Sequence, residues 1–85
     1  MTSFSSLALE QLGYWIKEDR KIALRILRLV EEIEKSPFHG IGKPEPLKGD
    51  FKGYWSRRID GEHRLVYKIT HENLFIHSCF SHYDK

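Results

Sequence analysis

The sequence predicts an α+β domain in which two helices pack on a mainly antiparallel sheet, and three observations carry that prediction. Apolar residues recur at helical spacing from Ala8 to Ile33, the period changes to two after Tyr54, and the turn signals Asp60-Gly61 and His71-Glu72-Asn73 cut the second half into three short runs. Helices followed by strands, without alternation, is the order of an α+β rather than an α/β chain. Eighty-five residues with 40% hydrophobic content form one domain, residues 1–85, with a single two-layer core.

Taken in order, the opening MTSFSS is short and tolerant of β structure. Ser5 or Ser6 then caps a helix whose Ala8, Leu12, Trp15 and Ile16 share one face, with Gly13 a mild weakness. Asp19 or a neighbour starts a second helix. Its Ile22, Ile26, Leu29, Val30 and Ile33 form the inner stripe, Arg25, Arg28, Glu31, Glu32 and Glu34 turn outward, and Ser36-Pro37 ends it. With so few residues between them, the helices form an antiparallel hairpin. A loop through Gly40, Gly42, Pro44, Pro46 and Gly49 leads to strands over Tyr54–Ile59, His63–Thr70 and Leu74–Ser81. In the middle strand Leu65, Tyr67 and Ile69 face the helices, while Arg64, Val66 and Lys68 face away. Trp15, Tyr14 and Trp55 read as core or interface, and Cys79 as a small buried hydrophobe.

The stretch Gly42–Tyr67, GKPEPLKGDFKGYWSRRIDGEHRLVY, holds the residues that fold-making alone does not explain. Glu45 lies between Pro44 and Pro46, and a residue before proline is pushed out of the helical region, so Lys43 and Glu45 are both expected to be extended. Lys48, Lys52, Arg57, Arg58 and Arg64 follow, enough cations to receive a polyanion. The net charge is only +2, but residues 43–68 hold seven Lys and Arg against four Asp and Glu, and the rest of the chain seven against eight. A carboxylate amid cations suggests chemistry on a phosphate. The single cysteine excludes an internal disulfide framework and fits a reducing compartment. His39, His63, His71 and His77 show no ligand spacing, so no metal site and no cofactor is expected. No membrane-length apolar run or signal peptide is present, and the cytoplasm is the expected compartment.

KPEPLK at 43–48, YWSRRI at 54–59, EHRLVY at 62–67 and the late His82-Tyr83 resemble the YoeB/Txe branch of the RelE toxin superfamily, in order and over nearly the whole chain. The resemblance implies a strand, two helices and a strand meander. It implies a ribosome-dependent mRNA endonuclease, the toxin of a type II toxin–antitoxin system, with the ribosome and mRNA as partners and a YefM-type antitoxin as its inhibitor. A homodimer is compatible with it. Carried over residue by residue, the general base matches Glu45, the transition-state arginine Arg64 and the general acid His82. Lys48 and Arg58 match supporting phosphate-binding positions, and Tyr83 the tyrosine that follows the histidine. Arg57 is a further candidate for substrate binding, with a charged outer sheet face or an antitoxin contact as its alternative.

Elementary chemistry agrees with those roles. Cleaving RNA without a metal requires taking a proton from a 2′-hydroxyl, stabilising a crowded phosphorane and protonating the leaving oxygen. A carboxylate, a guanidinium and an imidazole perform these tasks, and the planar fork of arginine grips phosphate oxygens with fixed geometry. Two departures from the family pattern stand out. Phe80 and Ser81 occupy positions that commonly hold arginine and tyrosine, and Asp84-Lys85 extends past Tyr83. Two other classes of function stay open on sequence alone: a superfamily binding module that poisons another target without catalysis, and a plain RNA- or antitoxin-binding module.

Overall fold

The computed structural model describes residues 1–80. Its elements are strand β1 (Thr2–Phe4), helices α1 (Ser6–Glu18) and α2 (Arg20–Lys35), strand β2 (Glu45–Pro46), a 3₁₀ turn (Gly49–Phe51), and strands β3 (Trp55–Arg58), β4 (Arg64–Thr70) and β5 (Asn73–Ser78). They form one five-stranded sheet in the order β1-β5-β4-β3-β2, parallel only where β1 meets β5. Among the described residues no helix is long and apolar enough to cross a membrane.

Both helices start where their caps dictate. The Ser5 hydroxyl accepts the Ala8 N–H at 2.9 Å, and the Asp19 carboxylate accepts the Ile22 N–H at 3.4 Å. Asp19 closes α1 and opens α2, which makes the hairpin connection a single residue. The helices cover one side of the sheet: Ala8, Trp15, Ala23, Ile26, Leu29, Val30 and Ile33 pack with Leu65, Tyr67, Leu74 and Ile76. Ile16, expected on the inner face of α1, is exposed. It lies about 100° around the helix from Trp15, at the edge of the stripe that Ala8, Leu12 and Trp15 turn to the core.

Two further expectations are corrected. Glu45–Pro46, expected as loop, is the edge strand β2, which a proline tolerates because an edge needs no donor on its outer side. Lys43 is not extended but has φ +51°, next to Gly42 at +84°. The cause is tertiary. Gly42 is pressed against β3, where its carbonyl accepts the Arg58 N–H at 2.6 Å and an added Cβ would stand 3.1 Å from Arg57 Cβ, the Arg58 carbonyl and Leu29 Cδ2. The chain must turn there, and the turn overrides the pre-proline preference.

Helix α1 also holds the far end of β5. Trp15 Nε1 donates to the Cys79 carbonyl at 2.9 Å, and the Cys79 N–H donates to Gln11 Oε1 at 2.7 Å. Burial pushes the Cys79 thiol up to about 12, so at neutral pH it is a packed, protonated side chain. The Phe80 ring then stacks on Trp15 at 5.1 Å and lies 4.9 Å from the His63 ring.

Candidate active site

Strand register decides which side chains share the sheet face turned away from the helices. Glu45 stands opposite Ser56, Ser56 opposite Val66, and Val66 opposite Ser78, forming one row across four strands. Directly opposed residues point to the same side. Two residues along β3 and β4, on the same face, lies a second row, in which Arg58 faces Arg64. The edge strand therefore delivers the Glu45 carboxylate to the face that carries both arginines. Lys48 follows β2 as an exposed residue at the start of the 3₁₀ turn.

Within this face two polar atoms are buried without a hydrogen-bond partner among the described residues: Ser56 Oγ and Arg64 Nη1. Native interiors rarely leave such atoms unmatched, and at a binding site they mark where a ligand oxygen belongs. Two like charges directly opposite one another also destabilise a ladder, so the Arg58–Arg64 pair has no structural benefit of its own. Next to it the Asp60 carboxylate accepts the backbone N–H groups of Glu62 at 2.8 Å and His63 at 2.7 Å. Burial pushes the Asp60 carboxyl up, but those two N–H groups and the charges of His63 and Arg64 outweigh it and hold the group below its usual value. That turn fixes the start of β4, and with it the position of Arg64.

Arg57 does not belong to this face, which corrects its reading as a substrate-binding residue. Because side chains alternate along β3, Ser56 and Arg58 point outward and Arg57 points toward the helices, opposite Leu65. It is fully buried. Its guanidinium donates to the carbonyls of Ile41 at 3.1 Å, His39 at 2.8 Å and Ser36 at 2.5 Å, tying down the segment that leaves the C-terminus of α2. A cation is well placed there, since the last carbonyls of a helix carry partial negative charge. His82 and Tyr83 lie outside the described residues.

The sequence reading missed Ser56, whose buried hydroxyl sits between Glu45 and Val66 in the first row. The signal was available, because a strand that presents Arg58 outward must present Ser56 as well. A cavity of about 440 Å³, lined by Ile33, Glu34, Pro37, Ile69 and Leu74 among others, contains none of these site residues. The candidate site is instead an open, cationic sheet face with one carboxylate at its edge, suited to an extended polyanion rather than an enclosed small molecule.

Comparison with known proteins accords with this arrangement. Residues 4–83 match the family model described as YoeB-like toxin of bacterial type II toxin–antitoxin system. Toxin YoeB of Streptomyces coelicolor is 53% identical over 81 residues, covering 95% of this chain and 96% of the relative. Among solved structures, the YoeB/ParE toxin from Agrobacterium tumefaciens superposes with a TM-score of 0.93 at 38% identity, over 96% of this chain and 98% of that one. The Staphylococcus aureus protein, solved as a YoeB-YefM complex, superposes with a TM-score of 0.90 at 40% identity, over 98% and 97% of the two chains. A YoeB dimer from Staphylococcus aureus superposes with a TM-score of 0.89 at 42% identity, over 96% of this chain and 95% of that one. A matched model that spans nearly all of the sequence, and relatives of this identity and coverage, show that the chain belongs to the YoeB-like toxins of bacterial type II toxin–antitoxin systems.

Proposed function

We propose that this toxin is an endoribonuclease that cleaves mRNA on the ribosome by metal-independent acid–base chemistry and so stops translation. The observation that supports this reading most directly is the shared face of Glu45, Arg58 and Arg64, with Arg64 Nη1 buried and unmatched among the described residues. Glu45 takes the proton of the 2′-hydroxyl. Arg64, helped by Arg58 and Lys48, stabilises charge that develops on the phosphorane, where a fixed donor in a partly dehydrated site is worth more than one in water. His82 protonates the leaving 5′-oxygen, a role that rests on its match to the family motif, and Tyr83 assists substrate binding. All three tasks fall to side chains.

A YefM-type antitoxin is the proposed inhibitor, in keeping with the S. aureus relative solved with YefM. Acidic side chains of such a segment suit the Arg58–Arg64 face and would compete with RNA for it. The YoeB dimer from S. aureus supports a homodimer as the toxin's free form. A ribosomal target goes with a cytoplasmic location.

The test is cleavage of an mRNA on purified ribosomes by wild type, Glu45→Ala and Arg64→Ala. Loss of a general base or an oxyanion-type donor is expected to slow cleavage roughly 100- to 10,000-fold in chains that stay folded. Wild-type rates in folded Glu45→Ala and Arg64→Ala chains would remove both residues from the chemistry, and no cleavage by wild type would leave a binding module.

A further inference from the structure

We propose that Tyr54 and His77 form a stacking subsite for one nucleobase of the RNA strand, beside the phosphate site of Glu45, Arg58 and Arg64. The inference rests on the nuclease reading and deepens it by assigning a base contact.

A β-bulge adjoins the subsite. Tyr67 pairs with Ile76 and Val66 with Ser78, so His77 is the extra residue in β5. Ile76 faces the helices, so alternation puts His77 on the outer face, where its ring meets Tyr54 at 5.6 Å and Phe51 at 5.3 Å, and the bulge keeps Ser78 on that face beside it. Helix α1 pins the bulge from behind: the Ser5 hydroxyl donates to the His77 carbonyl at 2.6 Å while accepting the Ala8 N–H. One residue thus caps a helix and holds a sheet irregularity in place.

The rings lie beside the proposed chemistry. Tyr54 is two residues along the chain from Ser56, about 7 Å, and His77 adjoins Ser78 in the row that begins at Glu45. Both side chains are half-buried and retain a solvent-facing part. They meet at 65°, edge to face, so neither ring lies flat on the other and a planar base can stack. Lys68 supplies charge, with its ammonium 5.0 Å from the centre of the Tyr54 ring and 5.7 Å from that of Phe75. Aromatic rings beside a cationic track are the arrangement that single-stranded nucleic acid requires, since each base offers a π face and each phosphate a charge. A purely structural ring cluster needs no cation and no place next to Glu45.

The experiment measures single-turnover cleavage on ribosomes programmed with a short mRNA in which nucleotides flanking the scissile linkage are made abasic one at a time. Wild type is compared with His77→Ala, His77→Phe and Tyr54→Leu, each checked for folding by its urea midpoint. At subsaturating toxin, His77→Ala and Tyr54→Leu are expected to slow cleavage of intact mRNA about tenfold. One abasic position slows wild type by a similar factor, the two losses do not add, and His77→Phe restores the rate. If His77→Ala does not fold, Tyr54→Leu carries the same comparison. Losses that add at every abasic position, wild-type rates in both variants, or no rescue by His77→Phe would overturn the subsite. In those cases an inactive Glu45→Ala chain leaves the nuclease reading standing. An mRNA that wild type does not cleave, or that Glu45→Ala cleaves as fast as wild type, removes that reading and the subsite with it.

Discussion

Arg57 Nε donates to the Tyr67 hydroxyl at 3.2 Å, and that hydroxyl donates in turn to the Pro37 carbonyl at 2.8 Å. Two neighbouring strands thus hold the segment after α2 by one continuous set of hydrogen bonds. Burial pushes the Tyr67 phenol up, against the hydrogen bond and charge of Arg57, so the hydroxyl keeps its proton and remains a donor. Lysine cannot span these partners. Arg57→Lys is expected to cost about 3 kcal/mol, because carbonyls inside the protein lose their donors. A lower urea midpoint with an unchanged m-value is the expected readout.

The Arg58–Arg64 pair predicts effects of opposite sign on fold and function. Relieving the like-charge contact with Arg58→Gln is expected to stabilise the protein by about 0.5 kcal/mol. The same change should slow mRNA cleavage at least tenfold and flatten its dependence on salt, since one phosphate contact is gone. Urea unfolding beside a salt series of cleavage rates measures both.

The depressed Asp60 carboxyl predicts a limb of the pH–stability curve. Its value is lower folded than unfolded, so the stability it contributes is complete above the unfolded value near 4 and is lost as pH falls through the folded value. Asp60→Asn is expected to flatten the curve below about pH 4 relative to wild type. Thermal melts from pH 2 to 6 report the difference.

The β4–β5 turn predicts a stabilising substitution. His71 and Glu72 both have positive φ, at +51° and +70°, in a two-residue hairpin connection that favours asparagine followed by glycine. Glu72→Gly is expected to add about 1 kcal/mol and raise the melting temperature by roughly 4–8 °C, as differential scanning calorimetry would show.

What could be read from the sequence follows the strength of each local signal. Both helices are amphipathic and capped, so their caps at Ser5 and Asp19 and their inner residues were legible, apart from Ile16. Alternation in β4 gave its two faces. The same rule applied to Ser56, Arg57 and Arg58 would have sent Arg57 inward, but the run of charge suggested a single surface. Strand β2 has two residues, both set by pairing with β3 rather than by any pattern of their own, and the bulge at His77 appears only once β4 and β5 are in register. The placement of Glu45 beside Arg58 and Arg64 is therefore a product of long-range pairing.

The parallel pairing of β1 with β5 bears on synthesis. Thr2 aligns with Leu74, and Ser5 reaches His77 across 72 intervening steps of chain, so the first strand has no partner until nearly all of the protein has been made. At roughly 5–20 residues per second, that interval lasts on the order of 4–15 s. During it, α1 and α2 can pair locally, but the sheet edge that receives β1 does not exist, and contacts this distant in sequence form late. Fragments released early would lack β5 and, with it, the strand that joins β1 to the rest of the sheet. Until β5 pairs with β4 and receives β1, the described sheet is incomplete and the toxin fold is not assembled.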